Sequence, residues 1–246
     1  MRGNIVDING VVPGDPSLYL VSEYSTDKWA PDAEHWIHTA RHEAGHAVAL
    51  LCMHRKFGRD ADAFERILIR PGATGSYVTR RGRRSDCLGC VEHAGSERLG
   101  SPRELRSSDR DMMRLMAINL EIKIVSNFAG PLAEMRSWNE MADLHSQEHR
   151  WAWEDNKEEI DCIGLCVAEL RALTGVGTME SFERQSYDLV KREWSAVAAL
   201  SEALMRWHSL EYDEALAVIE PWLTTGPVTG CRAGQANPRE TILLRR

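Results

Sequence analysis

His42-Glu43-Ala44-Gly45-His46 places two imidazoles four residues apart, with a carboxylate directly after the first. On an α-helix each residue advances by about 100°, so His42 and His46 lie within about 40° of one another and Glu43 falls on the same side. One metal ion can take a nitrogen from each ring. A zinc ion held by three protein ligands keeps a fourth position for water and lowers that water's pKa to about 7, while a nearby glutamate takes the proton as the water attacks a carbonyl. The chemistry implied is amide hydrolysis, with His42 and His46 as ligands and Glu43 as general base.

The same five residues can arise by chance on a polar helix face, and His35 and His38 project to nearly the same side. Against that, Ile37, Ala40, Ala44, Ala47, Val48 and Leu51 form an apolar stripe opposite the histidines, so the segment reads as a packed helix whose front faces a cleft or water. Gly45 adds weight. Mid-helix glycine costs about 1 kcal/mol relative to alanine and is usually kept for close packing or function. His35 and His38 are read as surface residues.

The elements that must position this helix sit in a chain of 246 residues, long enough to bury a substantial core as one large domain or two small ones. The hydrophobic fraction of 43% is ordinary for a globular protein. No apolar run approaches the eighteen or so residues of a membrane span, and the first residues lack the pattern of a signal peptide, so the expected address is cytoplasmic, with no membrane partner. A net charge of -7 argues against a nucleic-acid surface, although Arg80, Arg81, Arg83 and Arg84 form a short basic cluster, read as a solvated loop. Six cysteines do not make a disulfide framework in such a chain. Cys87 and Cys90, with His93 after them, could seed a second metal site but lack a fourth ligand, and Cys162 and Cys166 read as core.

Along the chain, residues 1–31 form an irregular lead-in, 32–225 a folded domain opened by the metal helix, and 226–246 a loosely held tail. Residues 65–70 and 76–79 are β-type runs separated by turn residues, which predicts a small hairpin or two neighbouring strands; 80 to about 106 reads as a loop. Helical spacing runs from about Ser108 to Phe128, Gly130-Pro131 interrupts it, and Leu132 to Met135 resumes. A polar, Trp-bearing segment to about Glu159 precedes a helix from Ile160 to Leu173, ended by Thr174-Gly175. Thr178 or Ser181 then opens one long helix to about Trp207, and a short helix covers Asp213 to Leu223. The fold class expected is mostly α (α+β), helical with a small β-hairpin or short sheet.

The order of these features resembles the peptidase domain of the FtsH-type, membrane-anchored AAA zinc proteases. Thr39-Ala-Arg-His-Glu-Ala-Gly-His-Ala-Val48 is similar to that family's metal helix, Ile67 to Gly75 to its following strand and turn, Phe128-Ala-Gly-Pro-Leu-Ala-Glu134 to its Gly-x-x-Ala-Glu helix junction, and Glu193-Trp194 through Glu214 to its closing helices. The resemblance covers roughly residues 36 to 223 and implies a zincin-like metallopeptidase fold with Zn2+ as cofactor. It implies an aspartate as third ligand, carried over to Asp161 at the start of Asp161-Cys-Ile-Gly-Leu-Cys-Val-Ala168. The family's polar lead-in to that aspartate is replaced by Trp153 to Ile160, so Asp155 and Asp143 compete with Asp161. Glu134 would hold a zinc-bound histidine from behind. The strand around Gly75, Ser76 and Tyr77 would carry an extended substrate through its backbone.

No phosphate loop and no membrane anchor accompany the motif. The expected partner is therefore a peptide or an unfolded protein, reached alone or with an unfoldase in trans; a homo-oligomer is compatible with the family's habit of forming rings. Two rivals to the peptidase remain. One is a catalytically silent, zinc-stabilised binding or regulatory module derived from it, for which Glu43 would be superfluous. The other is a nucleic-acid-binding protein using Arg80 to Arg84 with a metal at Cys87 and Cys90, which the acidic charge opposes.

Overall fold

The computed structural model describes residues 33–59, 62–71, 77–78, 84–85, 88–92 and 110–224. The lead-in and the C-terminal tail expected from the sequence lie outside the described residues. The architecture is mostly α-helical with a small antiparallel sheet, as expected.

Helix α1 (Ala33–Lys56) carries the His-Glu-x-x-His segment, and α2 (Arg110–Trp138) crosses it in the most extensive helix contact of the structure. The crossing is close because of Gly45: a Cβ there would stand 2.5 Å from the Ala129 carbonyl oxygen and 2.7 Å from the Ala133 Cβ. Ala44, Ala47, Val48 and Leu51 are buried, as the apolar stripe requires. Phe128, Leu132 and Met135 of α2 meet them, and each such side chain contributes about 1.5–3 kcal/mol on leaving water.

Helix α2 does not break at Gly130-Pro131 as the sequence suggested. Proline removes one helical hydrogen bond, the one to the carbonyl of Asn127, and packing on α1, α4 and α5 outweighs that loss. The polar segment after it contains a short helix, α3 (Gln147–Asp155), whose N-terminus Ser146 caps by accepting from the His149 N–H. Helix α4 (Lys157–Thr174) starts a turn earlier than the sequence indicated and ends at Gly175 in the left-handed conformation (φ 74°).

Thr178 opens α5 (Met179–Arg192) through a capping box with Ser181. The long helix expected to Trp207 is divided, since the chain turns at Glu193 and continues as α6 (Trp194–Trp207). The cause is chemical. The Glu193 side chain is fully buried and accepts from the Thr224 N–H and hydroxyl and from Arg192 Nε, which ties the junction to the end of the described chain. Helix α7 (Tyr212–Ile219) and a 3-10 turn (Glu220–Trp222) close the fold.

Strand β1 (Arg66–Ile69) is central, flanked by β4 (Gly89–Glu92) and β5 (Ser209–Glu211), both antiparallel. The second β-type run supplies β2 (Tyr77–Val78), which pairs with β3 (Arg84–Ser85) instead of with β1. Part of the stretch read as loop is therefore strand. Arg66 and Glu92, paired across β1 and β4, form an ion pair in which one Arg66 nitrogen donates to both Glu92 oxygens at 3.1 Å.

No single helix among the described residues is long and apolar enough to cross a membrane.

Candidate metal centre

Both histidines use Nδ1 to fix their rings. His42 Nδ1 donates to Glu134 Oε2 at 2.9 Å, and His46 Nδ1 donates to the Ser126 carbonyl at 2.8 Å. A carbonyl oxygen can only accept, so Nδ1 of His46 carries the proton and its Nε2, when the ring is neutral, presents a lone pair. The two Nε2 atoms converge to 3.0 Å.

The carboxylate that completes the group is Glu159, in the first turn of α4. Its Oε2 lies 3.4 Å from His42 Nε2 and its Oε1 3.4 Å from His46 Nε2. Among the described residues, His42, His46 and Glu159 are the one set of His, Cys, Asp and Glu side chains with ligand atoms close enough to share a metal ion. Bond lengths of 2.0–2.2 Å in a tetrahedron place ligand atoms about 3.3 Å apart, and each imidazole Nε2 lies near that distance from one Glu159 oxygen, so the group could hold a metal ion. Two nitrogens and one carboxylate oxygen are also a donor set zinc takes.

The local electrostatics call for positive charge. Burial alone lowers the pKa of both imidazoles. On His42, Glu134 and Glu159 outweigh it and carry the ring up to about 10; on His46 burial prevails and the ring stays below its usual range. Burial works to raise Glu134 and Glu159 as well, yet the histidines hold both below the ordinary glutamate range. The protein's own groups thus leave an excess of negative charge, which a divalent cation would balance.

Two glycines shape the space. A Cβ on Gly130 would stand 2.3 Å from His46 Cε1 and Nε2 and 2.8 Å from His42 Nε2, so α2 can back the two rings only with glycine at this position. A Cβ on Gly89 would stand 2.5 Å from Glu43 Cγ and 2.6 Å from its Oε1, so β4 lies directly against the predicted base. Glu43 is 8% exposed and, with His42, His46 and Glu159, lines a cleft that Leu50, Gly89, Val91, Ser126 and Asn127 complete.

Asp161 does not join the histidines. It lies two residues beyond Glu159 and is exposed, as are Asp155 and Asp143, the latter capping the backbone N–H of His145. The geometry of α4 explains the difference: Glu159 precedes the buried Ile163 by four residues and shares its side of the helix, whereas Asp161 is rotated about 200° from Ile163. The carboxylate that lies beside the histidines is thus a glutamate, in a helix turn expected to precede α4, and not the expected aspartate. Glu134 does reach His42, and Asn156 Nδ2 donates to the same Glu134 oxygen at 2.9 Å; this second support was missed because it lies at the α3–α4 junction.

Gly75 and Ser76 lie outside the described residues, and Tyr77 belongs to β2. The strand against the base is β4. The Arg70 backbone N–H donates to the Leu88 carbonyl, so Leu88 and Cys90 direct their backbone groups toward β1, and alternation turns those of Gly89 and Val91 to the opposite edge. Among the described residues no strand pairs with that edge. Cys90 is half-buried, while Cys87 and His93 lie outside the described residues, as do Arg80, Arg81 and Arg83. Cys166 is buried as expected but Cys162 is exposed. His38 contacts the Ser137 hydroxyl and the edge of Trp138 rather than the metal group.

Comparison with protein-family models finds no match, and comparison with curated proteins finds none either.

Proposed function

We propose that this protein is a zinc-dependent metalloendopeptidase of the cytosol that hydrolyses peptide bonds in extended, unfolded segments, with a peptidase domain of FtsH-like type. The observation that carries the proposal is the convergence of the Nε2 atoms of two imidazoles and the Glu159 carboxylate beside a buried glutamate in a cleft. In this reading His42, His46 and Glu159 hold the ion. When bound, zinc would acidify a water molecule and polarise the carbonyl under attack.

The chain's own residues do the rest. Glu43, held between α1 and Gly89, accepts the proton of the attacking water and delivers it to the leaving amine. Glu134 and the Ser126 carbonyl keep each ring in the tautomer that exposes Nε2. The outward N–H and C=O groups of Gly89 and Val91 offer an extended peptide a β-strand partner beside Glu43, which favours main-chain recognition. This role moves from the Gly75–Tyr77 strand to β4, because β4 is the strand that touches the base.

The test is cleavage of an unstructured protein such as casein, and of a peptide library, by purified protein of measured zinc content. Chelator-sensitive cleavage that Glu43→Gln abolishes supports the reading. Zinc binding with no cleavage of any substrate would assign the domain to a catalytically silent module instead.

A further inference from the structure

Two arginines, one from α1 and one from α2, share one aromatic platform. Arg41 Cζ lies 5.4 Å and Arg136 Cζ 4.8 Å from the centre of the Trp194 ring. Arg136 is 8% exposed, and Nε of both arginines is buried without an acceptor. Arg41 spends one nitrogen on the Ser137 carbonyl at 3.3 Å; Arg136 has no hydrogen bond or ion pair to any described group. Stacking on an indole stabilises a guanidinium but does not satisfy its N–H groups, and buried charges are ordinarily paired.

The carboxylates that could have paired with them are committed elsewhere. Glu134, two residues before Arg136, takes His42 and Asn156, and Glu193, next to Trp194, takes Arg192 and Thr224. Glu140 and Tyr187 act on Arg136 through space only, and burial lowers the pKa of that guanidinium despite them. The result is two cations held against one indole, each with its Nε–H left over.

We infer that Arg41 and Arg136, set around Trp194, form a binding site for a phosphate-type dianion, either the free ion or a phosphate ester. Two guanidinium groups match the charge of a dianion, and the planar fork of each suits two phosphate oxygens. Trp194, itself part of the platform, reports occupancy.

The experiment titrates the full-length protein with inorganic phosphate, O-phosphoserine and acetate at constant ionic strength, following tryptophan fluorescence and heat of binding. Saturable binding of a phosphate probe at least tenfold tighter than acetate is expected, weakened tenfold or more by Arg136→Gln and by Arg41→Gln. Tighter binding of phosphoserine assigns an esterified phosphate, and tighter binding of the inorganic ion assigns the free species. Should Arg136→Gln not fold, Arg41→Gln gives the same reading. Absence of saturable phosphate binding, or binding that both substitutions leave unchanged, overturns the inference; in particular, phosphate held at the metal centre would be indifferent to either arginine.

Discussion

Gly130 lies so close to His46 that a Cβ on it would stand 2.3 Å from the ring's Cε1 and Nε2. The imidazole position is therefore set from two sides, by the Ser126 carbonyl at Nδ1 and by the bare backbone of α2 beneath the ring. Gly130→Ala should force His46 out of register with His42. Alanine is favoured over glycine in a helix interior by about 1 kcal/mol, so the substitution need not harm the helix itself. The expected result is zinc affinity lowered by about 10–100-fold, the range seen when groups that orient ligands are disturbed, with an unchanged far-UV circular dichroism spectrum. Competition against a chromogenic chelator measures it, and wild-type affinity in this variant would show that the contact does not shape the site.

Glu43 and Gly89 form a second such pair, across α1 and β4. Glu43→Gln should keep zinc and lose about 10²–10⁴-fold in turnover, the usual contribution of a general base. Gly89→Ala should displace the Glu43 carboxylate without touching a ligand, so kcat falls while zinc content stays at the wild-type level. Metal analysis alongside peptide turnover separates these effects, and full activity in Glu43→Gln would remove it from the mechanism.

Glu159 and Asp161, two residues apart on α4, should behave oppositely. Glu159→Gln should abolish stoichiometric zinc binding, and Asp161→Asn should bind zinc as the wild type does. The pair of variants, each dialysed against zinc and assayed by plasma emission spectrometry, decides which carboxylate is the ligand. Retention of zinc by Glu159→Gln together with loss in Asp161→Asn would reverse the assignment made from α4.

What could be read from the chain and what could not divides along the range of the interactions. His42, Glu43 and His46 are one helical turn, so their relation follows from 3.6 residues per turn alone. Glu159 was hidden by a boundary: with α4 begun at Ile160, the residue facing the histidines fell outside the helix, although its four-residue spacing from Ile163 already put it on the buried side. The β1–β4 pairing escaped because its partners are joined through residues 70–88 and no local pattern selects Gly89–Glu92 over the nearer Tyr77–Val78. Pro131 misled for a related reason, since a local helix-breaking signal lost to the tertiary packing of α2. Glu193 divides one expected helix into two through contacts with Thr224, 31 residues on.

That buried glutamate gives a pH dependence to the fold. Burial tends to raise the Glu193 pKa, but hydrogen bonds from the Thr224 hydroxyl and N–H and from Arg192 hold it below the ordinary value. A carboxyl group with a depressed folded-state pKa contributes stability that is present above its unfolded pKa, near 4.3, and is lost as pH falls through the lower folded value. Glu193→Gln removes the charge from these hydrogen bonds, which should cost about 2 kcal/mol at pH 7 and lower Tm by about 5 °C. The gap between variant and wild type should then narrow below about pH 4, as the wild-type carboxylate takes up its proton. Thermal melts of both proteins between pH 3 and 8 test this; a gap independent of pH would mean that Glu193 holds the α5–α6 junction by shape rather than by charge.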